Sequence, residues 1–178
     1  MNNIKSNKSR KIAFLSVLLS LAIIINIVEG LIPSFKIPGV KLGLANIITL
    51  ILLYQYGYKD AFIILILRIF ISGLLRGNIV SYPFLMSLVG GVLAYLTMTI
   101  FWKINKFSEI GVSVAGAIMH SIGQILVVII MTKLTESLYY LPYILIISIA
   151  TGIFVGICAN RINKYFNKLY YGEKNENQ

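Results

Sequence analysis

Long apolar runs follow one another along almost the whole chain, and nothing constrains its fold more. The first extends from Ile12 to about Ile32. Others cover Leu42–Tyr56, Ala61–Leu75, Ile79–Trp102, Gly111–Met131 and Leu138–Ala159. A hydrocarbon core about 30 Å thick needs about 20 residues of helix to cross it. The second and third runs are short for that, so they are expected to begin in the preceding loops, to tilt, or to thin the bilayer. In lipid every backbone N–H and C=O must be satisfied internally, which makes helices of such runs. The chain therefore reads as an all-α integral membrane protein. Its core is a compact bundle of six transmembrane helices over residues 12–160, with five as the alternative count. A basic N-terminal segment, 1–11, and a basic tail, 161–178, flank the bundle.

Composition removes the other classes. Hydrophobic residues are 58% and charged residues 12% of the 178, where a soluble domain carries about 25% charge. The same apolarity excludes disorder. Cys158 is the only cysteine and His120 the only histidine. No internal disulfide can form, and a four-ligand zinc site cannot be filled. No metal or other cofactor is expected.

The net charge of +10 would point to nucleic acid in a soluble chain. Here its distribution points to anionic lipid instead. With the N-terminus inside, eleven Lys and Arg fall on the cytoplasmic side: Lys5, Lys8, Arg10, Lys11, Lys59, Lys103, Lys106, Arg161, Lys164, Lys168 and Lys174. Four fall outside: Lys36, Lys41, Arg76 and Lys133. The positive-inside rule then places both termini in the cytoplasm of a multi-pass cell-membrane protein with no nucleic-acid partner. The basic stretch before Ile12 resembles the start of a signal peptide. No small-x-small site closes the run, so it is read as an uncleaved first span. In the tail, Ile162, Tyr165, Phe166, Leu169 and Tyr170 recur at helical spacing. Either an amphipathic helix lies there on the inner leaflet or the last span continues.

Polar residues inside such runs are costly and therefore informative. Asn26 and Glu29 lie in the outer part of the first span, Lys41 and Asn46 at the outer start of the second. Arg68, Ser72 and Arg76 form one stripe of the third, at i, i+4 and i+8. Asn78, Ser81 and Tyr82 open the fourth, His120 and Gln124 are i, i+4 on the fifth, and Tyr139, Tyr140 and Tyr143 begin the sixth. Nearly all lie in the outer half, which points to an outward-facing polar pocket. The competing reading scatters them: an aromatic belt of tyrosines, single asparagines as interhelical glue, and a structural ion pair of Glu29 with Arg68 or Arg76. Small residues recur every four positions at Ser148, Gly152, Gly156 and Asn160. Such a ridge lets two helices approach closely, within the chain or with a partner.

Several chemistries are excluded. There is no GxxxxGK[ST] loop, so ATP hydrolysis of that type cannot come from this chain. Asp60 is the only aspartate, too few acids to hold Mg²⁺ against a diphosphate. A Ser-His-Asp set is not available, and no repeat joins the two halves. The chain is expected not to be catalytic by itself.

Three stretches carry a resemblance: EGLIPSFKIPGVKLGLANIITL at 29–50, RIFISGLLRGN at 68–78 and GVSVAGAIMHSIGQ at 111–124. With FLMSLVGGVLAYLTM at 84–98, they resemble the Gx transporter family, also labelled heptaprenyl diphosphate synthase component I. That resemblance implies a fold similar to the substrate-binding (S) components of energy-coupling factor (ECF) transporters, which rely on a separate transmembrane subunit and two ATPases. It implies ligand contact by Glu29, Lys41, Asn46, Arg68, Arg76, Asn78, His120 and Gln124. The expected ligand is a small molecule, with anionic, flavin-, quinone- and isoprenoid-related compounds as candidates. The older label implies instead a non-catalytic membrane subunit of polyprenyl diphosphate synthesis, and a scaffold for a flavin-linked redox assembly is a third reading.

Overall fold

The computed structural model describes residues 8–31, 41–77, 79, 81–133 and 135–175. Asn78 and Lys36 lie outside them. Six α-helices follow in order: α1 Lys8–Glu29, α2 Asn46–Gln55, α3 Tyr58–Leu75, α4 Tyr82–Ile104, α5 Glu109–Thr132 and α6 Leu141–Asn175. A 3₁₀ turn, Thr135–Tyr140, leads into α6. The described residues contain no strand.

The helix ends follow local chemistry. The Ser108 hydroxyl accepts from Gly111 N at 3.1 Å and caps α5, with Glu109 at the positive end of the helix dipole. Pro83 stands in the first turn of α4, where its missing N–H costs nothing. Asn105 and Lys133 end α4 and α5 in the left-handed region, at φ 55° and 57°.

Packing turns the usual order inside out. On α1, Leu18, Ala22, Asn26 and Glu29 are buried, whereas Val17, Leu21, Ile24 and Val28 are exposed. A helix that hides Asn and Glu and presents Val, Leu and Ile is stable only against hydrocarbon. Among the described residues, four helices are long and apolar enough to cross a membrane: Lys8–Glu29, Tyr82–Ile104, Glu109–Thr132 and Leu138–Lys168, the last including the end of the 3₁₀ turn.

The six predicted runs each contain a helix, but α2 differs from its expected span. It has 10 residues, about 15 Å of helix, half a hydrocarbon core. It has no need to be longer, because it packs against each of the other five α-helices. Leu50, Ile51, Leu52 and Leu53 are buried on every side of it, as expected of a helix that is apolar all round. The small-residue ridge of α6 packs within the chain. A Cβ built on Gly152 or Gly156 would fall 2.8 or 2.7 Å from the Cα of Val114 or Ile110 on α5. The tail continues α6 as one helix through Asn175. Phe166 stacks edge-on with Phe14 of α1 at 5.0 Å between ring centroids, so α6 and the start of α1 share one end of the bundle.

Candidate functional site

At the opposite end of the bundle, α1 and α3 finish and α4 begins. A cleft there is lined by Asn26 of α1, Lys41, the α3 residues Ile69, Ser72, Gly73 and Arg76, and Pro83, Phe84 and Ser87 of α4. The cleft is partly open and narrow, with room for about one water.

Lys41 enters this cleft from non-helical backbone between α1 and α2. Its Nζ donates to Ser87 Oγ at 2.9 Å and to Asn26 Oδ1 at 3.3 Å. Its backbone is held from α5. The Gln124 amide oxygen accepts from Lys41 N and from His120 Nε2, each at 3.1 Å, while its nitrogen donates to Lys41 O at 3.1 Å. Gln124 is fully buried, and its amide is committed to positioning Lys41. The His120 ring packs between Gly43 and Gly90. Gly43 has φ +80°, a conformation that glycine adopts without cost.

Glu29 holds the same loop from the other side. Its Oε1 accepts from Gly43 N and from Leu44 N, the latter at 3.1 Å. The expected pairing with Arg68 or Arg76 is not made. The ion pair among the described residues joins Lys11 to Asp60 at 2.8 Å, at the other end of the molecule. Two backbone donors converge on the carboxylate where the chain turns into α2, and charge-assisted bonds to such donors compete well with a guanidinium beyond ion-pair distance.

Arg76, half-buried, donates through Nη2 to Asn26 O near the end of α1. Its guanidinium fills the place that a side chain at Gly30 would take, 2.5 Å from the built Cβ. Arg68 is buried, 3% exposed, with no partner for Nε or Nη1 among the described residues. Ser72 Oγ and Asn46 Nδ2 are likewise buried without a partner. Lys41 is repelled by Arg76 and Arg68 and attracted by Glu29, so the four charges form one electrostatic group. Arg68 and Lys41 also act on His120.

Thus the structure gathers Glu29, Lys41, Asn46, Arg68, Arg76, His120 and Gln124 around one end of the bundle. Tyr139, Tyr140 and Tyr143 are exposed and take no part. Ser87 was not foreseen. A lone serine in an apolar helix was its only signal, and its role depends on Lys41 arriving from a distant loop. A second polar cluster, also unforeseen, lies at the other end. Asn163, buried, donates to Glu109 Oε2 at 2.9 Å and accepts from Gln55 Nε2 at 3.1 Å.

The family model for heptaprenyl diphosphate synthase component I matches residues 18–162. The chain belongs to the heptaprenyl diphosphate synthase component I family. The match runs from within α1 into α6 and so covers the whole cleft. No curated protein and no solved structure matches this member of the family.

Proposed function

We propose that this family member is a membrane-embedded, substrate-binding subunit of a small-molecule uptake transporter, similar to an ECF S component, with energy supplied by partner subunits. One observation carries the reading: Lys41, Arg68 and Arg76 converge beside a cleft at one end of a bundle whose outer faces are otherwise apolar. A bundle built only to be stable would avoid burying Lys41 and Arg68 beside a half-buried Arg76 with one nearby acid among the described residues, since each buried charge costs several kcal/mol. The proposed orientation has both termini in the cytoplasm of a six-span cell-membrane protein, so the cleft faces outward. Lys41 and Arg76 then meet the ligand, while Ser87 aims the Lys41 ammonium and Glu29 and Gln124 fix the loop that carries it.

The test is purification of the tagged chain from native membranes in mild detergent. The expected product is a complex with a second membrane subunit and ATP-hydrolysing subunits. The family's name favours a second reading, a non-catalytic membrane subunit of heptaprenyl diphosphate synthesis. Isolation with a soluble synthase whose activity requires this chain, and with no ATPase, would replace the first reading by the second.

A further inference from the structure

We infer that the cleft is an oxyanion site, taking a carboxylate or phosphate group on Lys41, Arg76 and Ser72 with Arg68 one helical turn beneath. The inference rests on the substrate-binding reading and names the chemistry of what is bound.

Charge is the first argument. Arg76, Arg68 and Glu29 all act on Lys41, and Glu29 acts on both arginines; among the described residues Glu29 is the acid of the group. One carboxylate against three cations leaves the group with an excess of two positive charges. That carboxylate is moreover bonded to the backbone of Gly43 and Leu44. An anion in the cleft would remove the repulsion; a cation or a neutral group would not.

Hydrogen bonding is the second argument, and it is independent of charge. A lysine ammonium has three donors. Two of those on Lys41 go to Ser87 and Asn26, which aim the ammonium and leave one N–H free. Ser72 lines the cleft with a buried hydroxyl that has no partner among the described residues. Arg68, at i−4 on the same stripe of α3, is 3% exposed and keeps Nε and Nη1 without partners. Unused donors buried in an apolar bundle call for an acceptor-rich group.

Size is the third. The cleft has room for about one water, so the terminal oxygens of a small anion reach in and a fused ring system does not. The anionic end of a ligand enters, and any bulky remainder stays at the mouth. A free small anion and a phospholipid headgroup share this chemistry.

The experiment uses the full chain purified in maltoside detergent. Sodium phosphate and sodium acetate are titrated at constant ionic strength against sodium chloride, and melting is followed. Phosphate or acetate at ten times its Kd is expected to shift the folding equilibrium of the wild type about 11-fold. Chloride should not. Lys41→Gln and Arg68→Gln should abolish the shift, and Lys41→Arg should keep it. Native mass spectrometry forms the second arm. One phospholipid retained per wild-type chain and lost in Lys41→Gln would also support the site and identify its source as a headgroup. If Arg68→Gln does not fold, the wild type and the two Lys41 variants decide. The inference is overturned if neither oxyanion shifts the wild type and no lipid is retained. An equal response to chloride, or to phosphate and acetate in Lys41→Gln, overturns it as well. The transport reading fails separately, through absence of ATPase partners in a chain that still binds the oxyanion.

Discussion

Replacing Glu29 by glutamine tests the structural core of the site. In the wild type one carboxylate oxygen accepts from two consecutive backbone N–H groups, Gly43 and Leu44, where the chain turns into α2. Hydrogen bonds to a charged acceptor contribute about 1.5–3 kcal/mol each, against about 0.5–1.5 for neutral pairs. Glutamine keeps an acceptor oxygen of the same reach but loses the charge at both bonds, which removes about 2–3 kcal/mol in all. For a chain of this size a loss of 1 kcal/mol lowers the melting temperature by about 2–4 °C, so the fall should be about 4–12 °C. Alanine should cost more. It strands two N–H groups, at about 1–3 kcal/mol each. Thermal melting of the purified protein in detergent gives the order wild type, Gln, Ala. A glutamine variant that melts with the wild type, or an alanine variant no worse than glutamine, would refute the assignment of Glu29 as the loop's anchor.

Three further outcomes are expected. Gly152→Leu should abolish a monodisperse peak on size exclusion, because even its Cβ would fall 2.8 Å from Val114 Cα and force α6 away from α5. Asn163→Leu should lower thermal stability by about 1–3 kcal/mol, since it strands Gln55 and Glu109 at the partly buried second cluster; an unchanged melting curve would make that cluster ornamental. In a Cys158→Ser background, Asn3→Cys and Glu176→Cys should react with a membrane-impermeant maleimide only after permeabilisation, and labelling of intact cells would reverse the proposed orientation.

Much of the architecture was legible in the chain because the bilayer simplifies the reading. The apolar runs located all six α-helices, since lipid permits helix and little else. The stripe Arg68, Ser72, Arg76 and the pair His120, Gln124 could be placed on single helix faces from their spacing alone. The ridge Ser148, Gly152, Gly156 announced a close helix contact before its partner, α5, was known. Even the inversion of α1, with Asn26 and Glu29 inward, was prepared by their presence in an apolar span.

Spacing along a helix says which residues share a face, but not which other face they will meet. For that reason the pairing of Glu29 with an arginine was a fair expectation that the fold did not adopt. The loop carrying Lys41, Gly43 and Leu44 brought backbone donors to the carboxylate instead. The same loop recruited Ser87 and Asn26 to the lysine and committed Gln124 to its backbone. The length of α2 was also decided in three dimensions. Ten residues suffice only because five other helices enclose them, so that neither its ends nor the turn before it must face lipid. Sequence determined where the chain is helical and which polar groups hydrocarbon must not touch. Only the tertiary structure decided which of those groups satisfy one another, because the donors and acceptors that meet at the cleft come from segments that no local periodicity connects.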